Sequence, residues 1–219
     1  MGVYQLSAIL GFSSVFAAAL GLIRYSKIEP AYRPLIYIIC LGFFNHSLSQ
    51  VLIQLYRTNT ANGNFFVLAE SLLYVWLFGN WGLFKRRPWM RYVLYIVLPL
   101  VWIGDNLVWH DLKTANAAFR IFSSFVMIFL AIEEATGLIT KVKTSLLRNA
   151  IFITCCCMLI YFSYKAFIEV FFLIQTPERN YDLLGRIYKI FIYVNCFVNL
   201  LFVWDVLCIP TKKQPLLSP

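Results

Sequence analysis

The chain has 219 residues, of which 61% are hydrophobic and 13% charged, with a formal net charge of +9. Water-soluble domains run about 45–50% apolar and about 25% charged, so an ordinary globular domain is excluded. The basic excess calls for no nucleic acid, because a basic fringe beside anionic lipid accounts for it and makes the lipid bilayer the expected partner.

Apolar stretches of spanning length follow one another at 4–23, 34–56, 65–84, 92–109, 117–139, 149–174 and 187–208. A spanning helix takes roughly 20 predominantly apolar residues, because the hydrocarbon core is about 30 Å thick and a helix rises about 1.5 Å per residue. The runs are long and continuous, which predicts helices rather than the short alternating strands of a barrel. The expected fold is all-α: a polytopic membrane protein, a seven-transmembrane-helix bundle forming one domain over 1–209, with a short tail at 210–219. The first span has no Lys or Arg ahead of it, so it reads as a retained helix and not a secretory signal.

Charge gives the expected orientation. Arg24, Lys27, Arg33, Lys85, Arg86, Arg87, Arg91, Lys141, Lys143, Arg148, Lys212 and Lys213 all fall in alternate connections or the tail. The opposite side has only Arg57, Lys113, Arg120, Arg179 and Arg186. The positive-inside rule then places the N-terminus outside and the C-terminus in the cytoplasm. Cysteines 40, 155, 156, 157, 196 and 208 lie within spans or at their inner ends, so no disulfide framework is expected. The Cys155–Cys157 run lacks metal-ligand spacing and reads as packing.

No Gly-rich phosphate cradle or nucleotide-binding motif occurs, which excludes a primary pump and a self-contained sensor kinase. No cofactor is expected. Energy coupling would need an ion gradient, and signalling would need a partner chain or a second copy.

Ionisable groups inside a span cost at least about 2.5 kcal/mol near a helix centre on insertion scales, so they normally face the bundle. By topology Glu70, Asp105, Lys165, Glu169 and Lys189 fall into one zone of the outer half. His46, Gln50 and Gln54 form a stripe at helical spacing, as do Tyr161, Lys165 and Glu169, and Asn195 and Asn199 share a face. This predicts an outward-opening cavity for a small polar ligand or an ion, contacted by His46, Gln50, Glu70, Asp105, Tyr161, Lys165, Glu169, Lys189 and Asn195. A structural alternative pairs Lys165 with Glu169 and Lys189 with Glu70 or Asp105, with the amides bonding between helices. A second polar group, Glu133, Asn199 and Asp205, is expected at the inner side, as a gate, a proton exit or a partner of the basic loops. Of the neighbours Glu133 and Glu134, only one should face the bundle, because successive helical residues lie about 100° apart.

Three functions fit. The first is a ligand-binding sensory or accessory module, the second a secondary transporter or proton-coupled carrier. The third, a metal-dependent intramembrane hydrolase, would draw ligands from His46, Glu70 and Asp105 with His110 at the rim, but no HExxH spacing supports it. A retinal protein is disfavoured because Lys189 sits near the outer end of the last span. Pro99 is expected to kink the fourth span.

The run from Arg33 to Lys85, with Asn45, Asn62-Gly63-Asn64, Glu70 and Lys85-Arg86-Arg87, resembles small bacterial seven-helix membrane proteins of unknown function. The likeness covers about a quarter of the chain. It implies a location in the bacterial inner membrane and no established activity.

Overall fold

A computed structural model describes positions 3–112, 114, 116–140, 146–174 and 181–211, with 3, 4, 172, 174 and 181–184 given by their backbone. Among the described residues eight α-helices follow in order: α1 (Val3–Gly11), α2 (Ser14–Arg24), α3 (Arg33–Tyr56), α4 (Thr60–Trp81), α5 (Pro88–Ile103), α6 (Ala117–Ile139), α7 (Ala150–Ile174) and α8 (Tyr181–Cys208). Among the described residues seven segments are long and apolar enough to cross a membrane, the first being Gln5–Arg24, which joins α1 to α2. That segment is broken by two tight turns, where the Ser13 N–H donates to Leu10 and the Val15 N–H to Phe12.

Helix ends follow local chemistry. Pro34 and Pro88 stand in the first turns of α3 and α5, where a missing N–H costs nothing. Gly82, at φ 92°, ends α4 in the left-handed conformation that glycine adopts without steric cost. The Phe152 N–H donates to the side chain of Asn149, which caps α7. α5 continues through Pro99 and then widens into a π-helical turn, Gly104–Trp109. The π-helical turn thus begins beyond the proline.

Three helix starts differ by several residues from the sequence expectation, that of α8 lying at Tyr181 and not at 187. α4 starts at Thr60, five residues earlier than expected, because its polar first turns are satisfied inside the bundle. The Asn62 side chain donates to Asn45 at 2.8 Å and to Ser49 at 3.1 Å. Glu70 therefore lies at the middle of its helix and not near one end. α5 starts at Pro88, earlier than expected, with the Arg91 guanidinium lying over the Tyr95 ring and against Gly79.

The segments form a ring in the order α1/α2, α3, α4, α6, α7, α8, closed by α8 packing along both α1 and α2. α5 stands outside, against α4 and α6. Connections alternate between an end carrying Asn59 and Asn116 and an end carrying Gly82. The Gly82 end is tied shut. Arg24 donates to the carbonyls of Val206 and Ile209, the Glu29 N–H donates to Pro210, and Ile28 and Ile209 are buried between them. Leu35, Ile36, Leu77, Phe78 and Val206 are fully buried above that clasp.

Candidate functional site

The ring encloses a cavity of about 1040 Å³ in the half nearer Asn59. Its rim carries Asn59, Thr60, His110, Asn116 and Tyr188, and its floor is made by Ala17, Ile38, Tyr74 and Phe202. The packed layer of Leu35, Leu77, Phe78 and Val206 lies beyond the floor.

The charged wall is built from α4, α6 and α7. Lys165 Nζ lies 3.0 Å from Glu70 Oε2, with both side chains nearly excluded from solvent. The same ammonium stands 5.2 Å from the Tyr161 ring and 5.3 Å from Phe162, close enough for cation–π attraction. One turn along α7, Glu169 Oε1 accepts from Arg120 Nη1 at 3.2 Å. Arg120 Nη2 donates to Asn64 at 2.9 Å, while Asn64 donates to the carbonyls of Leu112 and Thr114 and its own carbonyl accepts from the Trp102 indole at 2.9 Å. Asn64 thereby joins the charged wall to the 110–116 connection.

The opposite wall is uncharged. His46, Gln50, Asn195 and Asn199 line it. His46 donates from Nε2 to the Ala8 carbonyl at 3.3 Å, and Asn199 donates to Ser13 at 2.9 Å beside the break in the first segment. The imidazole fills a notch over Gly11: a Cβ there would stand 2.1 Å from it. Only glycine fits this close approach. Tyr161, Tyr188 and Phe191 make the third, aromatic wall between α7 and α8, and Tyr164 stacks on Phe191 at 6.1 Å from behind it.

Of the residues singled out from the sequence, His46, Gln50, Glu70, Tyr161, Lys165, Glu169, Asn195 and Asn199 meet around this cavity. Gln54 of the α3 stripe is exposed. Asp105 does not join them. It is 1% exposed, accepts from the Phe119 N–H at 2.8 Å, and holds His110 Nδ1 at 3.2 Å, so it caps the start of α6. Lys189 is exposed on α8 and does not line the cavity, a position from which its ammonium can reach the helix end along the surface. The expected Lys165–Glu169 pairing is replaced by two pairs across helices, Lys165–Glu70 and Arg120–Glu169.

The inner polar group also divides. Glu133 is exposed beside Arg86 and Arg87, Glu134 is the half-buried neighbour, and Asn199 belongs to the cavity. Asp205 alone is fully buried, 2.6 Å from the Thr154 hydroxyl. Lys141, Lys143, Lys212 and Lys213, expected to pair with this group, lie outside the described residues. Among the described residues no three His, Cys, Asp or Glu side chains gather as metal ligands, so His46, Glu70 and Asp105 do not form the ligand set a hydrolase would need.

Three participants escaped the sequence. Arg120 stands four residues into α6 and reads as loop charge. Asn64 reads as a turn residue. Gly11 is one small residue in an apolar run. Polar residues in the first turn of a span were the available signal for the first two.

No protein-family model matches the chain, and neither a curated protein nor a solved structure matches it.

Proposed function

We propose that the chain is a bacterial inner-membrane protein whose cavity binds a small zwitterionic or neutral polar ligand, working as a sensory or accessory module coupled to a partner chain or a second copy. The twelve-to-five distribution of basic residues supports placing the Asn59 end, and hence the cavity mouth, outside the cell.

One observation carries the reading: a cavity of about 1040 Å³ in which each charged wall residue already faces an opposite charge, Lys165 with Glu70 and Arg120 with Glu169. A ligand with net charge would leave that charge uncompensated in a low-dielectric site. A zwitterion can exchange ends with both pairs, and a neutral polar ligand can use the amides opposite. The aromatic wall suits an apolar or cationic flank of the ligand.

A secondary carrier is the second reading, favoured by the fully buried carboxyl of Asp205 on the far side of the floor. A carrier needs polar groups in both halves, whereas a receptor can seal one with Leu and Phe.

The test uses purified protein and a thermal-shift panel of amino acids, glycine betaine, phosphocholine and uncharged polyols. At least one zwitterion or polyol is expected to raise the melting temperature of the unmodified protein and not that of Asn195→Trp, whose ring obstructs the wall that carries His46, Gln50 and Asn199. Absence of any shift, with a phospholipid chain found in the cavity by native mass spectrometry, overturns the reading. Flux of the shifting compound into liposomes selects the carrier.

A further inference from the structure

Among the described residues, the sealed half of the bundle holds one fully buried carboxyl group that neither the cavity nor the clasp at the Gly82 end uses. Asp205 lies on α8 about one turn beyond the cavity floor at Phe202 and is 0% exposed. Its Oδ1 is buried without a hydrogen-bond partner, and its Oδ2 meets only the Thr154 hydroxyl, at 2.6 Å.

The nearest groups around it are uncharged, and Arg148, which acts on Cys208, makes no ion pair with the carboxyl. α7 presents Thr154, Cys155 and Cys157, the turn before α3 presents Tyr32, α4 presents Tyr74 and α8 presents Cys208. Glu134 of α6 shares Tyr32 and Cys155 as neighbours. Arg24 of α2 is engaged by the carbonyls of Val206 and Ile209. Among the described residues no cation reaches the carboxyl.

Proton counting decides between its two states. The Thr154 hydroxyl has one proton and two acceptors in reach, the Ala150 carbonyl at 2.9 Å and Asp205 Oδ2 at 2.6 Å. If Asp205 is ionised, that proton must serve the carboxylate, and a buried charge is left with one donor and no counter-ion, a costly arrangement. If Asp205 is protonated, its O–H donates to Thr154, Thr154 donates to Ala150, and only a neutral carbonyl oxygen is left without a donor. The short 2.6 Å separation is within the ordinary range of an O–H···O bond.

We infer that Asp205 is a proton-binding site, holding a neutral carboxylic acid inside the sealed half of the bundle. Loading transfers one proton from water to the carboxylate, and unloading returns it; no electrons move. Because Leu77, Phe78 and Val206 are fully buried apolar side chains, release requires that layer to loosen and admit water. The site is independent of the ligand proposed for the cavity, so failure of that reading leaves this one standing.

The experiment is infrared spectroscopy of the full-length protein in lipid nanodiscs at neutral pH. A carboxylic-acid carbonyl band is expected, absent from Asp205→Asn and retained in Glu133→Gln, whose carboxyl is exposed. The amide resembles the neutral acid, so Asp205→Asn is expected to fold; if it does not, carboxyl-¹³C aspartate in the unmutated protein must shift the same band. Aspartate signals confined to the carboxylate region overturn the inference. A band seen in choline chloride and abolished by sodium chloride also overturns it, by assigning the site to sodium.

Discussion

Lys165 of α7 and Glu70 of α4 meet across the ring at 3.0 Å, although Lys165 has a second glutamate, Glu169, one turn away on its own helix. The cross-ring pair wins because Glu169 is held by Arg120, so each carboxylate has its own cation. The pair makes α4 and α7 interdependent at the middle of the bundle, where an unpaired charge is expensive.

Removing one partner should therefore hurt more than removing both. Glu70→Gln or Lys165→Met alone is expected to cost about 3–5 kcal/mol, the scale for stranding a buried charge. The double variant Glu70→Gln/Lys165→Met should recover most of this and still fail to bind a zwitterion. Thermal unfolding of the three variants in one detergent checks it. Equal losses for singles and double would mean the pair is not coupled.

Gly11→Ala should displace the His46 imidazole, because the added Cβ would stand 2.1 Å from Cε1. A lowered melting temperature is expected, on the scale of about 1–3 kcal/mol for overpacking. His46→Ala in the same chain should restore most of it by emptying the notch. An unaltered melting temperature for Gly11→Ala would show that the two helices do not pack as described.

Asn64→Ala removes donors to Leu112 and Thr114 and the acceptor for Arg120. Amide hydrogen exchange around 110–116 is expected to rise, while exchange in the packed layer near Leu77 and Val206 stays slow. Exchange that rises evenly over the whole chain would place Asn64 in global stability and not in holding the rim.

Orientation is open to direct labelling. In a cysteine-free background, Thr58→Cys and Arg87→Cys both sit at exposed positions on opposite ends of the bundle. An impermeant maleimide applied to intact cells should label the first and spare the second. The reverse pattern would put the cavity mouth in the cytoplasm.

The existence of seven membrane-length helices, and their placement to within a few residues, could be read from the chain alone. Length and continuous apolarity are local properties, and a helix satisfies its own backbone within the segment. The polar positions along α7 were equally legible, since Tyr161, Lys165 and Glu169 share one face by spacing. Partners were not. Helices that face lipid on one side and apolar neighbours on the other show little contrast between faces, so periodicity does not say which stripe turns inward. Only packing put α5 outside the ring, drew Arg120 and Asn64 into the charged wall, and left Lys189 on the surface. The start of α4 was hidden for a related reason. Thr60, Asn62 and Asn64 read as loop because polar residues normally end a span, and only the tertiary structure supplies Asn45, Ser49 and the 110–116 carbonyls that let them begin a helix. Asp105 and Asp205 make the same point: each is an acid in an apolar run, and the neighbours that make one a cap for α6 and leave the other a solitary buried carboxyl come from helices distant in sequence.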